Sequence, residues 1–213
     1  MIPRFISIWI LLLSIGSGVF AAAQKVERIG APTSVSDALQ QAVENKGYRV
    51  TLDAGWTAEL WFAKNVKTVT KDVPGALYPE LTNGELVGVV TFSKAMTDYR
   101  GQNISAGTYT LRYQALPQDG NHMGVAPNPD FLLAIPAASD SSPNATYPYK
   151  KLIALSAKST GTSHPAVIAL NSAGESSTIT KDERGDTVFS VAITSEPGTA
   201  EKLGIVLKGT AAQ

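Results

Sequence analysis

The chain of 213 residues contains no cysteine, and that one absence removes several kinds of chemistry. No disulfide can staple the fold, no thiolate can serve as nucleophile or metal ligand, and no lipid can be attached through a cysteine. Histidine is nearly as scarce, with two in the chain, His122 and His164. The HExxH zinc signature is missing, and so are the Gly-x-Ser-x-Gly nucleophile elbow and a Ser-x-x-Lys pair. Charge of one sign never accumulates. Eighteen basic residues face 18 acidic ones, and the lysines and arginines are scattered, without the basic footprint that polyphosphate recognition requires. Nucleic acid and anionic membrane surfaces are therefore not expected partners. The glycines punctuate turns and do not open helices after strands, so no phosphate-binding loop is expected either.

Long apolar runs are also rare, and the longest stands at the start. Arg4 precedes an almost wholly apolar stretch from Phe5 to Leu13, which is diluted by Ser14, Gly16, Ser17 and Gly18 and closes on Ala21, Ala22 and Ala23. That is the order of a secretory signal peptide, and the run is short for a stable membrane anchor. Cleavage after Ala23 is expected to release a mature protein beginning near Gln24, periplasmic or secreted. Losing Arg4 with the leader leaves 17 basic residues against 18 acidic ones, a net charge of −1.

What remains, residues 24–213, is long enough to bury a core without covalent help and reads as one domain. Ser34 or Ser36 can cap an amphipathic helix with Val35, Leu39, Ala42 and Val43 on one face, ending at Gly47. From Tyr48 the period changes to two. Tyr48, Val50 and Leu52 alternate with polar residues, as do Ala58, Leu60 and Phe62 after the turn at residues 53–55, which predicts a hairpin. Alternation returns in residues 86–92 and most cleanly in residues 107–116, where Tyr109, Leu111, Tyr113 and Ala115 face one way. Thr108, Thr110, Arg112 and Gln114 face the other, which is expected to be wet. DFLLAI (130–135) is apolar throughout and predicts a central strand covered on both faces. A second helix is compatible with residues 150–158. Four short strands within residues 165–207, separated by Gly174, Gly185 and Gly198, look like a meander. The expected fold is mostly β, an antiparallel sandwich or a flattened barrel, with one N-terminal helix.

The stretches ISAGTYTLRY (104–113), DGNHMG (119–124), DFLLAIP (130–136) and GTSHPAV (161–167), in this order, resemble a group of exported bacterial proteins. The resemblance covers most of the mature chain. It implies an envelope location and carries no activity or site residues to transfer.

Candidate functional residues fall into three sets. Trp61, Tyr147 and Tyr149, with Trp56, Tyr78 and Tyr99, are candidates for an aromatic platform that stacks on a glycan, though strand tryptophans usually belong to the core. His122, Met123 and His164 offer imidazole and thioether, the ligand set of a copper site. Their two loops, residues 116–130 and 137–164, break the β rhythm. A Ser-His-Asp triad drawn from Ser163, His164 or His122 and a distant aspartate would make a hydrolase. The first expectation is a non-catalytic binding or accessory module, whose ligand is a small molecule, a glycan or an envelope protein. A copper protein is the second and a hydrolase the third.

Overall fold

A computed structural model describes residues 24–52, 55–70, 72–117, 125–196 and 198–209. Among the described residues there are twelve strands: β1 (Lys25–Ile29), β2 (Gly47–Thr51), β3 (Thr57–Phe62), β4 (Leu86–Phe92), β5 (Met96–Thr97), β6 (Asn103–Ile104), β7 (Gly107–Ala115), β8 (Asp130–Pro136), β9 (Ala166–Asn171), β10 (Thr178–Lys181), β11 (Thr187–Ser195) and β12 (Thr199–Lys208). All but β5 and β6 join one antiparallel sheet in the order β1-β2-β3-β4-β7-β8-β9-β12-β11-β10, and β5 and β6 form a separate small hairpin. The two end strands, β1 and β10, come into contact, so the sheet is nearly closed into a barrel.

Alternation places the interior. Tyr48, Val50, Leu60, Phe62, Tyr109, Leu111, Tyr113, Leu132, Ile168, Phe189, Val191 and Ile205 all join the main buried cluster. The expected inward set of β2, β3 and β7 is the observed one. β8 is central and covered on both faces, as its unbroken apolar sequence requires. Leu132 and Ala134 point into the barrel, while Phe131, Leu133 and Ile135 pack outside against Leu152 and Leu155. Those two belong to α2 (Tyr149–Thr160), which ends at Gly161 in the left-handed conformation, φ 67°. Ser156 and Ser159 of α2 both donate to the Ala134 carbonyl, at 2.9 and 2.8 Å, which fixes the helix on the sheet.

Several expectations need correction. The N-terminal helix is one short piece, α1 (Asp37–Ala42), whose cap is Ser36. It does not reach Gly47, because Glu44 N–H already donates to the Phe62 carbonyl at 2.8 Å and the chain is drawn into the sheet. Gly47 instead opens β2, where a Cβ would fall 2.5 Å from Trp61 Nε1. The larger helix is α2. The C-terminal strands are not a simple meander, since β9 pairs with β12 and not with β10.

The outward face of β7 is not wet. Thr110, Arg112 and Gln114 are all buried, and residues 140–147 fold back over Thr110 and Arg112. Arg112 makes a bidentate pair with Asp140, Nε to Oδ2 at 2.6 Å and Nη2 to Oδ1 at 2.8 Å. Its remaining N–H groups donate to the carbonyls of Gly84, Ala145 and Ser142. All five donors of the guanidinium are thus used. Thr110 Oγ1 and the Tyr147 hydroxyl donate to the same carboxylate, at 2.6 and 3.0 Å. A charge pair taken out of water is tolerated only with this degree of satisfaction.

The two ends of the barrel are built differently. At one end, residues 63–85 form a strap that crosses the opening and buries Val66, Val73, Tyr78 and Leu81 against the interior. The buried carboxylate of Asp130 accepts from the N–H groups of Leu77 and Tyr78. The other end is bordered by the ends of β2 and β3, the β5–β6 hairpin and the β10–β11 turn, and among the described residues no segment crosses it.

Candidate functional site

The open end begins where β2 runs out. Leu52 N–H donates to the Trp56 carbonyl at 2.9 Å across the turn, and Gly55 takes the left-handed conformation that the reversal requires, φ 69°. That geometry leaves the Trp56 ring at the end of the interior, stacked on Phe92 with centroids 5.7 Å apart and planes 29° apart. Phe92 in turn lies 5.8 Å from Tyr109. The three rings pack in a row, with Trp56 the one that reaches the cavity.

One wall is the β5–β6 hairpin, and Asp98 holds it in shape. Oδ1 of that buried carboxylate accepts from the N–H groups of Arg100 and Gln102, and Oδ2 accepts from Gln102 Nε2 and from Val167 N–H on β9. Ala95, Met96, Thr97 and Asn103 consequently face the opening. The opposite wall is the β10–β11 turn. Asp182 Oδ1 accepts from Arg184 and Asp186 N–H, both at 2.9 Å, and Arg184 Nη2 sits 3.2 Å from Asp182 and 3.0 Å from Asp186. Burial pushes the Asp186 carboxyl above its usual range, against the pull of Arg184.

Between the walls lies a cavity of about 740 Å³, within the range of small-molecule sites and in the position where barrels bind ligands. Leu52, Trp56, Met96 and Leu207 supply apolar lining, while Lys181, Arg184 and Lys208 bring three cations against one lining carboxylate, Asp186. The lining therefore offers apolar surface and fixed charge, suited to holding a molecule.

Of the aromatic residues picked out from sequence, Trp56 lines this cavity, while the others sit elsewhere. Trp61 is buried, 5% exposed, on the outer face of β3 against Val43 and Val89, with Nε1 donating to the Gly30 carbonyl at 2.7 Å. Tyr147 is half-buried beside Leu152, its ring 5.0 Å from the Arg112 guanidinium. Tyr149 is half-buried at the start of α2. Trp61 and Tyr147 lie in separate clusters, so these aromatics do not meet on one exposed face. His164 is exposed in a tight turn, where its N–H donates to Thr162 Oγ1 and its carbonyl accepts from Thr160 Oγ1. Ser163 beside it is exposed too. His122 and Met123 lie outside the described residues, and among the described residues no group of three His, Asp or Glu side chains is placed to hold a metal ion.

No local spacing marks the cavity, because its cations come from residues 181–208 while most of its apolar lining comes from residues 52–96. One signal was available. Trp56 directly follows a turn glycine at the edge of a strand, where a side chain meets the end of a barrel and not its side. Comparison with known proteins finds no matching family model, no matching curated protein and no matching solved structure.

Proposed function

We propose that this protein is an exported, non-catalytic binding module whose ligand occupies the open mouth of the barrel. The observation that carries the reading is the 740 Å³ cavity with its apolar lining of Leu52, Trp56, Met96 and Leu207. Interior-facing side chains fill the rest of the barrel, and the strap covers its far end. Export rests on the charge and apolar order of residues 1–23.

Nile red, a neutral dye that brightens in apolar surroundings, tests the pocket directly. It is expected to bind the mature protein at one saturable site. Ala95 is exposed and lines the mouth, so Ala95→Trp should fill the site without disturbing the core and weaken dye binding by about tenfold or more, equivalent to about 1.4 kcal/mol. Trp56→Ala should weaken it as well. Dye binding that survives both substitutions, or no binding at all, would remove the mouth as the site. Intact-mass measurement of protein recovered from the periplasm or medium tests export, with the chain expected to begin near Gln24.

A further inference from the structure

A second pocket lies on the outside of the barrel. Cross-strand pairing sets Arg49 of β2 opposite Glu59 of β3, Glu59 opposite Thr91 of β4, and Thr91 opposite Thr108 of β7. Their chain neighbours Val50, Leu60, Val90 and Tyr109 point into the barrel, so by alternation these four side chains form one polar row on the outer face. In the next row Trp61 stands opposite Val89, and both are buried. Their cover includes residues 30–35, which run from β1 toward α1 across the indole. Trp61 Nε1 holds this segment through the Gly30 carbonyl, Gln40 Nε2 donates to the Pro32 carbonyl at 2.8 Å, and Ile29 and Val35 pack against the Trp61 cluster. The polar row thus runs along a fixed wall, and the two together bound a pocket of about 220 Å³.

The hydrogen-bonding groups of the row are only partly used. Arg49 Nε and Nη2 both donate to Glu59 Oε1, at 2.8 and 2.6 Å, so Arg49 Nη1 and Glu59 Oε2 have no hydrogen-bond partner among the described residues. The Thr91 and Thr108 hydroxyls share one hydrogen bond at 3.0 Å. One hydroxyl proton and lone pairs on both oxygens remain for a ligand.

We propose that this pocket, independently of the mouth, binds one sugar residue of a neutral glycan. Neighbouring hydroxyls on a sugar ring each donate and accept, and here a fixed acceptor stands beside a fixed donor and two hydroxyls that do either. Arg49 and Glu59 are the two charged residues of the lining and neutralise each other, while Glu27 beside Arg49 is paired with Lys25. An anion would meet Glu59, a cation would meet Arg49, and a zwitterion would have to split the pair. An apolar ligand would strip water from these groups without replacing its hydrogen bonds. The Trp61 ring, 5% exposed, offers no stacking face. Binding therefore rests on hydrogen bonds and is expected to be weak, with a Kd of about 1 mM.

The test is saturation-transfer NMR with four neutral methyl glycosides, those of glucose, mannose, galactose and N-acetylglucosamine. At least one is expected to bind saturably, with an affinity that salt leaves unchanged. Thr91→Val combined with Thr108→Val keeps the branched side chains but removes both hydroxyls, and it should weaken that glycoside by about tenfold. Ser34 is exposed on the wall, so Ser34→Trp should block the pocket without touching the sheet. Ala95→Trp at the mouth should leave glycoside binding as it was. The proposal is overturned if none of the four glycosides binds, or if binding survives both the paired threonine substitutions and Ser34→Trp. Loss of binding in Ala95→Trp overturns it as well, because the sugar would then sit in the mouth. Gluconate, glucosamine or glycine binding more tightly than every glycoside would show that the row recognises charge and not hydroxyls.

Discussion

The two ends of the barrel solve the same problem in opposite ways. At the closed end the connection between β3 and β4 is long, and its residues 63–85 lie across the opening with their apolar side chains turned inward. Tyr78 works there as a bolt. Its hydroxyl donates to the Asn171 carbonyl of β9 at 2.7 Å and accepts from Gly204 N–H of β12 at 2.8 Å. Val66 adds a bridge to Ser195 of β11. At the open end the turns are short and polar, and the β5–β6 hairpin walls the mouth without covering it. A barrel interior wide enough for side chains must be capped or solvated at each end. Here a buried carboxylate and a tyrosine hydroxyl cap one end, and a cavity lies at the other. The strap end is thus closed by chain, and the mouth is left as a cavity.

This contrast makes three tests natural, taken from the largest effect downward. Asp130→Ala strips the acceptor from Leu77 and Tyr78 N–H and from the Tyr113 hydroxyl. Leaving several buried donors without a partner is expected to cost about 3 kcal/mol or more, read as a fall in the urea midpoint, whereas Ala95→Trp at the mouth should stay within about 0.5 kcal/mol. Equal losses would erase the distinction between the ends. Tyr78→Phe should cost about 1 to 3 kcal/mol, because Gly204 N–H is buried and loses its acceptor. A midpoint unchanged by Tyr78→Phe would mean that the strap holds without its bolt.

The smallest effect is a pH dependence at the strap. Burial raises the Glu80 carboxyl above its usual range, helped by the nearby charges of Glu201 and Asp130 and opposed by a backbone hydrogen bond. A carboxyl whose pKa is raised on folding adds stability that is present below its unfolded value and is lost as pH rises through the folded value. Relative to wild type, Glu80→Gln should therefore gain stability as pH climbs from the ordinary glutamate range through that raised value, and the gain should level off above it. Unfolding curves for the two proteins that stay parallel across this window would show that Glu80 titrates alike in both states.

Much of this architecture is legible in the sequence, for a clear reason. Period-two alternation is a local property, and it correctly sorts Tyr48 from Arg49, Leu60 from Glu59 and Leu111 from Arg112. It also recognises the doubly covered β8. Alternation cannot say what lies over the outer face. Arg112 and Thr110 look solvent-facing because they are polar, yet the segment that buries them begins near Asp140, 28 residues beyond Arg112. Trp61 belongs to the core, as strand tryptophans usually do, and its exposure cannot be judged from its partly exposed neighbour Glu59, because the segment of residues 29–35 folds over the indole. The helix expected at residues 34–47 loses its last turn because pairing with β3 outcompetes local propensity. The mouth is a property of closure, assembled from four separated stretches, so no spacing within any one of them announces it.

The five-donor guanidinium of Arg112 has a consequence for how the molecule opens. The stretch SDSSPNATYPY (139–149) is rich in Ser, Pro and Asn, the composition of a surface loop that a protease enters first. Four of the five Arg112 hydrogen bonds, however, end on Asp140, Ser142 and Ala145, so lifting this stretch breaks all four at once and strands a cation against the sheet. Amide exchange and proteolytic nicking there should follow global unfolding and not local fraying. In its kinetics, this irregular segment is expected to behave like the strands.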